Sequence, residues 1–239
     1  ASIGRSTMMD ALGPQEWTAI WLSLRVALVA TLAALPVAIW IAYLLARKTF
    51  PGRQLLNGLV HLPLVLPPVV TGYLLLVLFG QQGPIGSFFD QTFGVSFAFR
   101  WTGAALAAGI MAFPLMVRAI RLGFEAVDSG LEDAAATLGA SRLRIMFTVT
   151  LPLVVPGILA GAILGFAKAL GEFGATITFV AAIPGQTQTI PTAIYGLLQV
   201  PGSEPAVLSL VIVSIILAMG ALLMSEWLAR RMAKRLGGK

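Results

Sequence analysis

Long apolar stretches separated by short polar turns run through this chain, at 17–46, 55–79, 101–122, 149–182 and 206–229. Each is long enough to cross a hydrocarbon core, which takes roughly 20 apolar residues in helix. Nowhere do apolar and polar residues alternate in the segments of about ten that mark a membrane β-barrel. The pattern predicts an all-α integral membrane protein, with a single transmembrane domain over 1–239 and five transmembrane helices.

Composition agrees, since 58% of the 239 residues are hydrophobic and only 11% charged, where a soluble domain carries about 25% charged residues. Cysteine is absent, which excludes disulfides and thiolate metal sites. His61 stands alone in an apolar run with no second ligand type beside it, so it is read as structural or interfacial and no metal site is expected. No cleavable signal pattern is visible. The opening ASIGRST, ahead of Met8 and Met9, is expected to be an addition before the native start.

The net charge of +6 would point to nucleic acid in a soluble protein, but here the basic residues follow topology. Arg47, Lys48 and Arg53 separate the first two spans, Arg118, Arg121, Arg142 and Arg144 flank the loop between the third and fourth, and Arg230, Arg231, Lys234, Arg235 and Lys239 form the tail. The opposite side holds only Arg5 and Arg100. Basic residues near span ends stay in the cytoplasm, so the N-terminus is expected outside and the C-terminus inside. Nucleic acid is not an expected partner; membrane lipid is.

Within the spans, particular residues stand out. Arg25 lies in a first span of about 45 Å at ~1.5 Å per residue, long enough to bring it near the outer headgroups, where its stem snorkels, the alternative being a role in the substrate path. The second span contains HLPLVLPPVVTGY, with Pro63, Pro67 and Pro68. Each proline removes a helical hydrogen bond, and unwound backbone at membrane depth needs protein or a wet cavity around it. This segment, including Thr71, is therefore expected to line the path or stand beside a gate, the alternative being a kinked packing helix.

In the fourth span, Gly157, Gly161 and Gly165 recur every four residues and lie on one face, predicting a close helix–helix seam, within a subunit or between two. Beyond them Lys168 and Glu172 are four apart and share a face. Intramembrane charges usually face a cavity or each other. Three readings stand: a pair that neutralises itself, a cation offered to a passing anion with Glu172 moderating it and Thr176 nearby, or exposure at the outer surface. Segment 80–100 reads as an external Gly-rich loop, and 183–205 as a loop with a short re-entrant or surface helix.

The polar interval from Ser129 to Phe147, SGLEDAAATLGASRLRIMF, is helix-prone but interrupted by Gly139. Ser129 and Glu132 have the spacing of a capping box. Ala134, Ala135 and Ala136 offer a thin face on which another protein can sit closely. The interval resembles the coupling segment of type I ATP-binding-cassette importer permeases: Glu-Ala-Ala, three residues, Gly, nine residues, an aliphatic, one residue, then Leu-Pro. Gly139, Val149 and Leu151-Pro152 match in register, with Ala134 and Ala135 as the alanines. Asp133 stands where glutamate is usual, with Glu132 just before it, so which acid contacts the motor is open. The resemblance implies a motor-facing set of Glu132, Asp133, Ala134, Ala135, Gly139 and Ala140.

The runs FPGRQLLNGLVHLPLVLPPVVTGYLLL, FPLMVRAIRLGFEAVD and ALGEFGATITFVAAIPGQTQTIPTAIY resemble the permease subunits of bacterial molybdate importers, with parts shared by tungstate and sulfate permeases. The resemblance implies a homodimer in the bacterial inner membrane, two cytoplasmic ATPase subunits and a periplasmic oxyanion-binding protein. It also implies no catalysis by this chain and no cofactor on it, with ATP and Mg acting in the partner. Independently, no G-x-x-x-x-G-K-[ST] phosphate loop occurs. An ion-coupled secondary transporter would show inverted repeats and midplane carboxylates, and no repeat is found. A membrane enzyme would need a cluster of catalytic or metal-ligating residues, which a lone His61 does not provide.

Overall fold

A computed structural model describes residues 12–236, apart from several side chains in the last helix; Arg5, Met8, Met9 and Lys239 lie outside them. The described residues form α-helices with one π-helical turn. The long helices are α1 (Pro14–Arg47), α5 (Trp101–Glu125), α8 (Leu151–Leu170), which continues backwards through a π turn (Met146–Thr150) into α7 (Arg142–Ile145), and α11 (Glu204–Leu236). Among the described residues four helices are long and apolar enough to cross a membrane, and a bent pair raises the number to five. α5 stands at the centre and packs most extensively on α8 and α1. One core cluster joins Met116, Ile120 and Phe124 of α5 to Leu45 of α1 and Val154 of α8, and a second, further along α5, joins Ala104, Ala108 and Met111 to Ala27 of α1 and Phe179. Alanines dominate that second contact, so α1 and α5 approach closely.

The stretch expected to span the membrane at 55–79 is two helices, α2 (Arg53–Val65) and α3 (Pro68–Phe79), bent by 113°. The Leu66 N–H closes α2 on the Leu62 carbonyl, and Val70 and Thr71 open α3 on the Pro67 carbonyl. Pro67 and Pro68 have no N–H, so the hydrogen-bond ladder cannot cross them. Pro63, by contrast, sits inside α2.

The span expected at 149–182 is likewise not one helix. α8 stops at Leu170, residues Gly171 to Phe173 turn, and α9 (Gly174–Val180) restarts. A side chain drives the restart: Glu172 Oε1 accepts the Ala175 N–H at 3.1 Å, satisfying one of the donors left over at a helix start. At its other end α8 continues back through a π turn (Met146–Thr150) into α7 (Arg142–Ile145). The Leu151 N–H reaches the Met146 carbonyl there. Pro152 follows at the start of α8, and the wider turn accommodates a residue with no N–H of its own.

The segment 80–100 holds α4 (Pro84–Phe93) rather than loop alone. Phe89 makes edge contacts with Phe88 and Phe97, an aromatic cluster that orders it. The short helix expected within 183–205 is α10 (Ile190–Leu197). It is fastened to α1 by the Ile190 N–H, which donates to the buried Ser23 hydroxyl at 2.7 Å.

Candidate coupling site and membrane path

The interval 129–147 is two helices around a tight turn. α6 (Ser129–Thr137) ends in paired hydrogen bonds, Gly139 N–H to Ala136 O at 2.9 Å and Ala140 N–H to Ala135 O at 3.1 Å. This is the Schellman ending, which needs a left-handed residue. Gly139 supplies it at φ +83°, with nothing within 4 Å of where a Cβ would stand. Its role is therefore conformational and not one of space. The Ser141 hydroxyl then accepts the Arg144 N–H and starts α7. The cap expected at Ser129 is one residue earlier: Asp128 Oδ1 accepts the Gly130 N–H at 2.8 Å, and Ser129 is the first helical residue.

No residue of α6 is buried. Asp133, Ala134 and Ala136 are exposed, Ala135 and Ala140 partly so. Leu138 and Leu143 are 88% and 73% exposed, so the turn presents apolar side chains at the end of the bundle. The sequence reading did not single them out. Their signal was two leucines in an otherwise polar turn.

Glu132 points the other way. Its Oε1 accepts from Arg47 Nη2 of α1 at 3.3 Å and from the Thr150 hydroxyl in the π turn at 2.6 Å. Arg47 Nη2 also donates to the Val127 carbonyl at 3.2 Å. α6 is thus tied at once to the end of α1 and the beginning of α8. Of the two neighbouring acids, Asp133 is exposed with no partner among the described residues and Glu132 is engaged within the chain. Arg47 and Thr150 were not legible as partners, because no local pattern links positions so far apart.

The glycine face of α8 packs on α5 of the same chain. A Cβ on Gly157 would lie 3.0 Å from Gly123 Cα, one on Gly161 3.1 Å from the Met116 carbonyl, and one on Gly165 2.5 Å from Met116 Cγ. The seam is within the subunit.

At the middle of the fold two helix starts meet. A Cβ on Gly174, which opens α9, would lie 2.7 Å from Pro68 Cβ, which opens α3; Gly72 abuts the Ala175 carbonyl in the same way. Lys168 Nζ donates to Glu172 Oε2 at 2.8 Å, with the Glu172 side chain 2% exposed and that of Lys168 32%. Glu172 is therefore satisfied on both oxygens, while the ammonium keeps an open side. Thr176 is buried, and the buried Thr71 hydroxyl has no hydrogen-bond partner among the described residues. Pro67, Pro68, Thr71, Glu172 and Thr176 belong to or adjoin the packed α3–α9 unit. His61 Nδ1 donates to the Asn57 carbonyl at 2.8 Å. Among the described residues no three His, Cys, Asp or Glu come together as a metal set.

Comparison with known proteins agrees with this layout. The chain is 60% identical over 222 residues to the molybdenum transport system permease protein ModB of Escherichia coli (strain K12), covering 93% of this chain and 97% of that one. It is 37% identical over 186 residues to the sulfate transport system permease protein CysT of Salmonella typhimurium (strain LT2), covering 78% and 67%. Among solved structures, inward-facing MetNI, a methionine ABC transporter, superposes with a TM-score of 0.72 at 15% identity, covering 92% of this chain and 99% of that one. The family model for binding-protein-dependent transport system inner membrane components matches residues 17–234, and the chain belongs to that family.

Proposed function

We propose that this chain is the transmembrane subunit of an ATP-driven importer that carries molybdate across the bacterial inner membrane. The observation that carries the reading is the exposed α6–α7 hairpin, clamped to two spans through Glu132 and topped by unpartnered leucines, in a chain so similar to a molybdate permease. The higher identity to the molybdate permease than to the sulfate permease favours molybdate over sulfate.

In this reading two copies form the path, the hairpin faces the cytoplasm, and the N-terminus lies outside. A cytoplasmic ATPase dimer, holding ATP and Mg, docks on Asp133, Ala134, Ala135, Gly139 and Ala140 with Leu138 and Leu143. A periplasmic oxyanion-binding protein delivers substrate at the far side. Closure of the ATPases pushes α6, and the Arg47–Glu132–Thr150 clamp passes the displacement to α1 and α8. Transport then follows from a two-state bundle biased by ligands at both ends. The substrate passes Pro67, Pro68 and Thr71 of the broken span, with Lys168 supplying positive potential and Glu172 and Thr176 holding it in place. Membrane lipid surrounds the remaining faces.

The division of labour is tested by measuring nucleotide hydrolysis. The purified chain alone should hydrolyse no ATP, and hydrolysis should appear when the ATPase subunit is added. Hydrolysis by the chain alone would contradict it.

A further inference from the structure

Two arginines stand on the last two turns of α5, on a helix that crosses the membrane. Arg118 lies seven residues, about 10 Å of helix, before the final residue Glu125. Opposite it on α2, His61 lies eight residues, about 12 Å, beyond Arg53. Asn57, His61, Arg118, Arg121, Leu122 and Glu125 line a cavity of about 270 Å³.

The polar groups of this cavity hold one another, with one left over. Arg121 donates from Nε to Glu125 Oε1 at 2.8 Å and from Nη1 to Asn57 Oδ1 at 3.3 Å. The Asn57 carbonyl accepts from His61 Nδ1. Glu125 is thus matched by Arg121, and Arg118 is exposed with no acid beside it among the described residues. With His61 neutral the cavity carries one net positive charge. A guanidinium inside a span is costly unless it meets water, protein or an anion. Its planar fork matches two oxygens of one oxyanion at once.

We infer that this cavity is an anion-binding subsite at the α6 end of the membrane path, taking a tetrahedral oxyanion on Arg118 beside Arg121. The inference rests on the importer reading, and it adds a stopping point that Lys168, on another helix, does not provide. Glu125 keeps the site weak, which a path requires, because an ion held tightly does not leave. A phospholipid phosphate has the same chemistry, so the test must separate a lipid headgroup from the transported anion.

The chain has no cysteine, and Leu122 is both exposed and on the cavity wall. Leu122→Cys in the full complex, with cysteine-free ATPase and binding protein, gives one probe per copy in lipid nanodiscs. An anionic water-soluble thiol reagent should modify it about tenfold faster than a neutral one of similar size. Excess molybdate should slow the reaction, and Arg118→Gln should weaken that protection about tenfold. Modification only by a lipid-soluble reagent would overturn the subsite. So would protection that follows phosphatidylglycerol content and ignores molybdate, or protection unchanged in Arg118→Gln. The labelling needs no ATP: absence of molybdate protection in Leu122→Cys with Arg118 present and uptake intact would sink the subsite alone, whereas no ATP-driven uptake by the unsubstituted complex strikes the importer reading.

Discussion

Arg47 and Glu132, 85 positions apart, meet at 3.3 Å, and the same carboxylate oxygen takes the Thr150 hydroxyl at 2.6 Å. One acid therefore holds the end of α1, the start of the hairpin and the π turn of α8 together. A hairpin pushed from outside moves two spans only if that junction is stiff.

Removing the junction should separate hydrolysis from transport. Glu132→Gln keeps the acceptor but removes the charge from the bonds with Arg47 and Thr150, and Thr150→Val deletes a hydrogen bond to a charged group, about 1.5–3 kcal/mol. Because the two share an oxygen, the double variant should lose less than the sum. Uptake per ATP hydrolysed is expected to fall in each, with hydrolysis retained. Equal falls in both activities would show that Glu132 serves assembly only.

Gly139 tests the turn by conformation. A left-handed backbone costs an ordinary residue about 1–2 kcal/mol, and asparagine tolerates it better than alanine. There is open space at the Cβ position, so size should not matter. Stimulation of the ATPase by the assembled complex should rank Gly139, then Gly139→Asn, then Gly139→Ala. An alanine variant equal to the parent would contradict the Schellman geometry.

The α5–α8 seam predicts a contrast between glycines. Gly161→Val drives side-chain atoms against Ile120 and the Met116 carbonyl, an overpacking that costs about 1–3 kcal/mol or more. Gly220→Ala in α11 meets nothing within 4 Å and should gain about 0.5–1 kcal/mol from helix propensity. Thermal unfolding in detergent should shift in opposite directions for the two. A shared direction would remove the seam as a determinant of stability.

The Lys168–Glu172 pair should respond asymmetrically. Lys168→Met leaves a buried carboxylate without its cation and is expected to destabilise by up to about 3 kcal/mol, the ammonium being partly exposed. Glu172→Gln keeps an acceptor for the Ala175 N–H and should cost less. The double variant should regain most of the loss. Melting temperatures that simply add would show that the two side chains do not interact.

Much of this was legible in the sequence, and what was not has physical reasons. The unbroken spans α1, α5 and α11 follow from apolar length alone, and Gly157, Gly161 and Gly165 announced a seam by their period. Pro67 and Pro68 signalled a disruption, but a proline pair does not state its angle, and the 113° bend comes from packing α3 on α9. The stop at Leu170 was missed because the apolar run resumes just past Glu172; the break depends on Glu172 turning back to cap Ala175. Asp128 and Ser129 are both good caps one residue apart, and only the backbone chooses between them. The Arg47–Glu132 contact is a property of the folded bundle and has no local trace.

The most direct test is ATP-driven uptake of labelled molybdate into proteoliposomes holding this chain, its ATPase and the binding protein, with sulfate as competitor and Gly139→Val, whose β-branched side chain resists a left-handed backbone, alongside. The account predicts uptake that needs ATP, resists excess sulfate and disappears in the variant. Uptake abolished by sulfate would contradict the molybdate assignment. No ATP-dependent uptake by an assembled complex would contradict the importer itself.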